Sequence, residues 1–196
     1  MLRRRLLPRS VLICVVTCLL AACAQMPGTA LPTQRPVRTT SNDFFLAGRL
    51  AANKGDQHYA VNITWRHTTE RDEIFVATPL GQGIAELTRD AAGARLTTAD
   101  RQEFAAPDWQ ALSAQVFGFA LPLSALPRWL MADVPAGALG VHHDRSGRPQ
   151  RMVADDWQVA YPDYASDAAD ALPALIELKR EDIEVRLKVD EWQIAP

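Results

Sequence analysis

The sequence predicts a mainly β fold, a meandering antiparallel sheet long enough to curl, with helices inserted mid-sequence. From Phe44 onward, apolar and polar residues alternate at two-residue spacing, which is typical of strands with one buried face. Between Pro107 and Met131 the apolar spacing changes to three and four residues, which is the helical period. Alternation returns at Trp157–Tyr161, so the helices interrupt one continuous β pattern.

The clearest strand covers residues 58–66, in which the odd-numbered positions 59–65 are all apolar. Further strands are expected at residues 71–78, 84–87, 94–98, 102–105, 141–143, 152–153, 157–161, 175–178, 185–189 and 192–194. Turn-forming residues separate several of these segments, at 79–83, 146–147 and 179–182. Trp192 and Ile194 are out of phase with the residues before them, which predicts a β-bulge.

Two helices are predicted between the strands. Asp108 is placed to open the first helix and Gly118 to stop it. Its apolar residues recur at three- and four-residue spacing: Trp109, Leu112 and Val116. The second helix is expected from Pro122 to Met131, with Pro127 tolerated only in its first turns because proline lacks an N–H.

The N-terminus has the layout of a cleaved secretory signal. A basic start precedes an apolar run from Val11 to Leu20, and Leu20-Ala21-Ala22-Cys23 follows. A membrane-spanning helix needs roughly 17–25 apolar residues, so this run is too short to span. The tetrapeptide resembles the bacterial lipobox, which predicts a signal peptide at 1–22 and a lipidated Cys23. The alternative is an ordinary signal peptide that contains Cys23 by coincidence.

Residues 24–43 are rich in proline and threonine, so 23–43 is predicted to be a lipidated cysteine with a flexible tether, and 44–196 the folded domain. Ala24 follows the cysteine where an aspartate tends to retain a lipoprotein in the inner membrane. We therefore expect an outer-membrane location facing the periplasm. Without residues 1–22, 17 basic and 23 acidic residues remain, a net charge of about −6, which disfavours nucleic acid or an anionic lipid surface as the main partner.

No catalytic or metal-binding pattern is found in the sequence. The four histidines (58, 67, 142 and 143) do not form an H-E-x-x-H pair, and no serine lies in G-x-S-x-G. There is no phosphate-binding glycine loop. We therefore expect a protein that is not an enzyme and has no metal or cofactor, and a lipid-handling hydrolase is disfavoured.

The whole chain resembles the LolB family of outer-membrane lipoprotein receptors. The segments that carry the resemblance, after the lipobox, are Phe45-Leu46-Ala47-Gly48-Arg49-Leu50, Ile63-Thr64-Trp65, Thr78-Pro79-Leu80-Gly81-Gln82, Leu121-Pro122-Leu123, Leu126, Trp129-Leu130, Trp157-Gln158-Val159-Ala160-Tyr161 and Trp192. Two segments depart from the family pattern, since Asp100-Arg101-Gln102 and Met131-Ala132-Asp133 lack a glycine that the family often has there.

The resemblance implies an incomplete β-barrel around an apolar cavity, with a helical lid. Such a protein accepts acylated lipoproteins from the periplasmic carrier LolA and inserts them into the outer membrane, and we expect it to act as a monomer. Shielding the cargo is necessary because exposing one sixteen-carbon chain to water costs roughly 12 kcal/mol. The alternative is an outer-membrane scaffold for an assembly machine, with a filled core.

The resemblance also implies roles for particular residues. Leu80 is expected to enter the bilayer and release cargo, whereas its position alone also allows a leucine folded back on the core. The candidate residues for the cavity wall or lid, each of which is alternatively plain core, are Tyr59, Ile63, Trp65, Ile74, Val76, Leu126, Trp129 and Leu130. Trp109 is a further lid candidate, while Trp157 and Trp192 are expected to be structural.

Overall fold

The computed structural model describes residues 42–118 and 121–194. The predicted signal peptide, the lipidation at Cys23 and most of the tether lie outside these residues. The elements are β1 (Phe44–Lys54), β2 (Gln57–His67), β3 (Asp72–Ala77), β4 (Gly83–Asp90), β5 (Gly93–Thr98), β6 (Glu103–Ala106), α1 (Trp109–Phe117), α2 (Leu126–Leu130), β7 (Leu139–His143), β8 (Pro149–Ala154), β9 (Trp157–Tyr164), β10 (Pro173–Arg180) and β11 (Ile183–Ile194).

All the strands belong to one antiparallel sheet of eleven, in the order β6-β5-β4-β3-β2-β1-β11-β10-β9-β8-β7. Each pair of sequence neighbours is hydrogen-bonded, except that β6 and β7 are the two ends of the sheet and do not pair with each other. The first and last strands meet at its centre, where β1 pairs with β11 along its whole length. The predicted mainly β, unclosed sheet with inserted helices is confirmed.

The alternation in the sequence corresponds to the two faces of the sheet. Ile63 and Trp65 of β2 are buried while Arg66 is exposed, and Trp157 and Val159 of β9 are buried while Gln158 is exposed. Buried side chains of the sheet and of both helices form a single hydrophobic core. The core therefore lies on one face of the sheet, and the connection between the two edge strands supplies the helices.

The predicted bulge lies in β11. The register changes from Ala47 opposite Glu191 to Gly48 opposite Val189, which leaves Asp190 as the extra residue. A Cβ atom on Gly48 would lie 2.4 Å from the carbonyl oxygen of Lys188, so the close approach of these strands requires glycine there. The bulge predicted from the phase of the C-terminal residues is confirmed.

The first helix begins and ends as predicted. The Asp108 side chain accepts a hydrogen bond from the Ala111 N–H at 2.8 Å, and Gly118 closes the helix with φ of 74°. The second helix is shorter than predicted, covering Leu126–Leu130 rather than residues 122–131. Pro127 lies at its first positions because it lacks a donor, and residues 123–125 form a turn instead.

Candidate functional site

The loop between β3 and β4 presents an exposed leucine. Leu80 is 97% exposed, more than any other large apolar residue among those the structure describes. The Thr78 N–H donates to the Gln82 carbonyl oxygen at 2.8 Å, and the Gly81 N–H donates to the Thr78 carbonyl oxygen at 2.8 Å. Gly81 has φ of 88°, a conformation that favours glycine. The turn is thus closed by its own hydrogen bonds, and Leu80 does not fold back on the core.

A side chain of β2 fixes the base of this loop. The Asn62 Nδ2 donates to the carbonyl oxygen of Thr78 at 3.2 Å and to that of Pro79 at 3.4 Å. Asn62 pairs with Ala77 across β2 and β3, directly before the loop. The exposed leucine is therefore held by a strand of the central sheet.

The structure brings together seven of the eight predicted cavity or lid residues. Five of them are buried in the hydrophobic core: Ile63, Trp65, Ile74, Trp129 and Leu130. Val76 and Leu126 are partly buried and pack against that core. Tyr59 is separate, since it lies near the β1–β2 turn opposite Ala52 and is 55% exposed.

Large side chains occupy much of the interior between the sheet and the helices. Trp109, Trp129 and Trp157 are each 1% exposed. Their burial accords with a structural role for Trp157 and allows both readings, core or lid, for the two helical tryptophans. An acyl-chain cavity and a lid function for the helices remain predictions.

Asp72 is a buried charged residue that the sequence analysis missed. It begins β3, is 1% exposed and accepts four side-chain hydrogen bonds. The donors and distances are Trp65 Nε1 at 2.9 Å, His67 Nδ1 at 2.5 Å, Arg89 Nε at 2.6 Å and Trp109 Nε1 at 3.2 Å. These donors come from β2, β4 and α1, so one carboxylate ties the first helix to three strands.

The environment of Asp72 keeps it ionised. Burial raises its pKa, but hydrogen bonds from His67, Trp65 and Arg89 and the charge of His67 outweigh burial and lower the pKa to about 2. A cavity of about 200 Å³ adjoins this cluster, and residues 123, 124 and 127 of the helical segment form its other wall. The cluster therefore lies where the helical connection meets the sheet.

Asp72 had a signal in the sequence. It shares the inward phase of Ile74 and Val76, at two-residue spacing, so the alternation placed a carboxylate on the core face. Its cross-strand partners are His67 and Arg89, which carry the needed donors. A charged residue at an inward position predicts a buried ion pair, because an unpaired buried charge is too costly.

Two further classes of site, a metal cluster and a membrane-spanning helix, are absent from residues 42–118 and 121–194. No group of three or more His, Cys, Asp or Glu side chains there could hold a metal ion. Within the same ranges, no helix has the length and apolar character needed to cross a membrane.

The sequence of this chain matches a known protein family. The family model described as outer membrane lipoprotein LolB matches residues 42–192. The chain belongs to the LolB family. Relatives named outer-membrane lipoprotein LolB include one from Azoarcus sp. (strain BH72), 39% identical over 93% of this chain and 94% of that protein. Another, from Nitrosomonas europaea, is 36% identical over 83% of this chain and 78% of that protein.

Solved structures show the same fold at low identity. A LolA superfamily protein from Nitrosomonas europaea matches with a TM-score of 0.50 and 9% identity, over 82% of this chain and 89% of that one. A DUF1329 family protein from Desulfovibrio piger matches with a TM-score of 0.52 and 9% identity, over 80% of this chain and 87% of that one. As a LolB family member, the protein is a lipid-anchored outer-membrane lipoprotein facing the periplasm, with a role in lipoprotein localisation.

Both departures from the LolB glycine pattern coincide with left-handed backbone. Arg101 has φ of 64° and Ala132 has φ of 55°. Side chains with a Cβ atom are strained in this region, whereas glycine is not. At both positions the chain therefore adopts the left-handed conformation without glycine, the residue that fits it best.

Proposed function

We propose that this protein accepts acylated lipoproteins from a periplasmic carrier of the LolA type, shelters their acyl chains between sheet and helices, and delivers them into the outer membrane. Lipidation at Cys23 anchors it there. The observation that carries the proposal is Leu80, which is 97% exposed on a loop closed by its own hydrogen bonds. Transfer proceeds by increasing affinity from carrier to receptor to bilayer, since the sequence contains no nucleotide-binding motif.

The exposed leucine has a physical reason to enter a bilayer. Moving a leucine side chain out of water contributes about 1.5–3 kcal/mol, and none of the residues that the structure describes covers Leu80. Because the loop is tied to β2 by Asn62, insertion of Leu80 brings the domain itself against the membrane. Cargo is then released beside the bilayer that receives it.

The proposal is tested by cargo transfer. Residues 24–196, which lack the signal peptide and Cys23, are incubated with a carrier-bound lipoprotein that has a photo-crosslinkable acyl chain, and the cargo bound to the domain is scored. Leu80→Glu should bind cargo normally but fail to deliver it to vesicles. The matched control is Leu139→Glu at the next most exposed large apolar residue, at 69%, and this variant should deliver normally.

The same experiment examines the scaffold alternative, which the three buried tryptophans favour because they fill part of the interior. A chain that takes up no acyl cargo from the carrier contradicts the receptor proposal and supports a scaffold with a filled core. Normal delivery by Leu80→Glu contradicts the insertion role of the loop while leaving cargo binding intact.

A further inference from the structure

The outer face of the sheet carries a groove of about 250 Å³ where β11, β1 and β2 lie side by side. We call it the outer groove. Two rows of directly opposed residues line it, Lys188–Arg49–Asn62 and Arg186–Ala51–Ala60. Opposed residues in an antiparallel pair point to the same face, so both rows face away from the core.

Small side chains form the floor of the outer groove. Ala51 and Ala60 are opposite each other and contribute only methyl groups, so the space above them is open. The neighbouring residues Leu50 and Val61 point to the other face and pack against the hydrophobic core. The floor is thus supported from behind by the core.

Three cationic side chains border the floor. Arg49 pairs with Asp190 at 2.8 Å and Arg186 with Glu177 at 3.3 Å, and both pairs are exposed. Exposed pairs contribute little free energy, and a guanidinium has five N–H donors, so both arginines can bind a second anion. The Arg49 hydrogen bond and then the charges of Arg49 and Lys188 outweigh burial and lower the pKa of Asp190, so both cations lie close enough to favour an anion there.

The outer groove continues into the base of the Leu80 loop. Pro79 forms part of its wall, and Asn62, which belongs to the first row, donates to the Pro79 carbonyl oxygen at 3.4 Å. Leu80 is the next residue, with its Cα atom about 3.8 Å from that of Pro79. The headgroup layer of a bilayer is about 5–7 Å thick on each side of the hydrocarbon. A leucine that passes this layer therefore leaves the groove at the level of the phosphates.

We propose that the outer groove binds the phosphate of a membrane phospholipid headgroup when Leu80 enters the bilayer. The cations bind the phosphate oxygens, and the alanine floor leaves room for the ester groups. The inference rests on the proposed function only in that Leu80 meets a membrane. It adds a polar contact that orients the domain, whereas an exposed leucine alone would allow free rotation about the point of insertion.

The test is vesicle binding by the mature chain without its lipidation site, residues 24–196, which lacks both the apolar signal segment and Cys23, so that no anchor masks the interaction. Vesicles of phosphatidylethanolamine and phosphatidylglycerol in equal parts are the probe, in a flotation assay. Arg186→Gln with Lys188→Gln should weaken binding roughly fivefold for each charge removed. The matched control is Arg95→Gln with Arg151→Gln, two exposed arginines outside the groove, and it should bind as the unsubstituted chain does.

A charge-neutral variant separates a built groove from general electrostatic attraction. Ala51→Gln fills the floor without changing the charge and should weaken vesicle binding several-fold, with Ala105→Gln on β6 as the exposed control. Unchanged binding by Ala51→Gln, or equal losses in the two arginine double variants, overturns the proposal. Thermal unfolding of each variant shows whether the fold is kept.

Two other occupants give different results. Full displacement of vesicles by millimolar inorganic phosphate indicates a site for a soluble anion and overturns the headgroup proposal. A double variant Arg186→Gln, Lys188→Gln that binds vesicles normally but takes less cargo from the carrier indicates an acidic protein surface, and also overturns it. Neither result touches the proposed function, which fails separately if the unsubstituted chain accepts no cargo.

Discussion

Replacing Asp72 with asparagine removes the charge on which four N–H donors converge. The pKa of Asp72 is lowered from 3.8 to about 2, and one pKa unit equals about 1.4 kcal/mol, so the charged form stabilises the fold by about 2–3 kcal/mol. Asparagine keeps the shape but presents an NH₂ group to donors. Asp72→Asn should therefore lower the free energy of unfolding by about 2–3 kcal/mol at pH 7.

The stabilisation by Asp72 should weaken as the pH falls. Because the folded-state pKa is depressed, the stabilisation is fully present above pH 3.8 and is lost as the pH falls towards about 2. The difference between the unsubstituted chain and Asp72→Asn should therefore shrink over that interval. Urea unfolding followed by tryptophan fluorescence measures it, since Trp65 and Trp109 donate to this carboxylate.

The control is Asp56→Asn, an exposed carboxylate in the β1–β2 turn, which should leave stability nearly unchanged. A loss below about 0.5 kcal/mol for Asp72→Asn would refute the reasoning, because removal of a buried, fully paired charge is costly. So would a loss of equal size at pH 7 and pH 2.

Trp109→Phe removes the one hydrogen bond that α1 donates to Asp72, so the free energy of unfolding should fall by about 1–2 kcal/mol. Amide hydrogen exchange should become faster in α1 and stay unchanged in β8 and β9. Arg101→Gly relieves a left-handed backbone at an exposed turn and should stabilise the protein by up to about 1 kcal/mol in thermal unfolding; a loss of stability contradicts this. Leu46→Ala, at a side chain with no exposed surface, should destabilise by about 2–5 kcal/mol in urea unfolding, and a value near zero would mean that the site collapses without a cavity.

The strands and the first helix were predictable because their signals are local. The alternation around Ile63 and Trp65 directly reports which side chains face the core, and β2 covers the predicted strand. Asp108 and Gly118 carry the hydrogen bond and the backbone conformation that bound a helix. The second helix was overestimated because apolar spacing extends through residues 122–125, where proline chemistry favours a turn.

The Asp72 cluster could not be predicted from the sequence, because residues far apart in the chain form it. Its donors include Arg89 and Trp109, which the sequence separates from Asp72 by 17 and 37 residues. Strand periodicity shows that Asp72 points inward, but it does not show which helix covers that point. The outer groove could not be predicted for the same reason, since Arg186 and Ala51 become neighbours only through the register in which β11 pairs with β1.

The pairing of β1 with β11 has a consequence for how the molecule reaches its native state. Strands β1–β6 and β7–β11 are each runs of sequential hairpins, so each half can assemble from contacts near in sequence. The two halves join only when β1, the first strand, pairs with β11, the last. During export, β1 consequently presents an unsatisfied edge until the C-terminal residues emerge. A chain terminated after Arg180 would add two open edges, β1 and β10, to the native edges β6 and β7, and would be prone to aggregation.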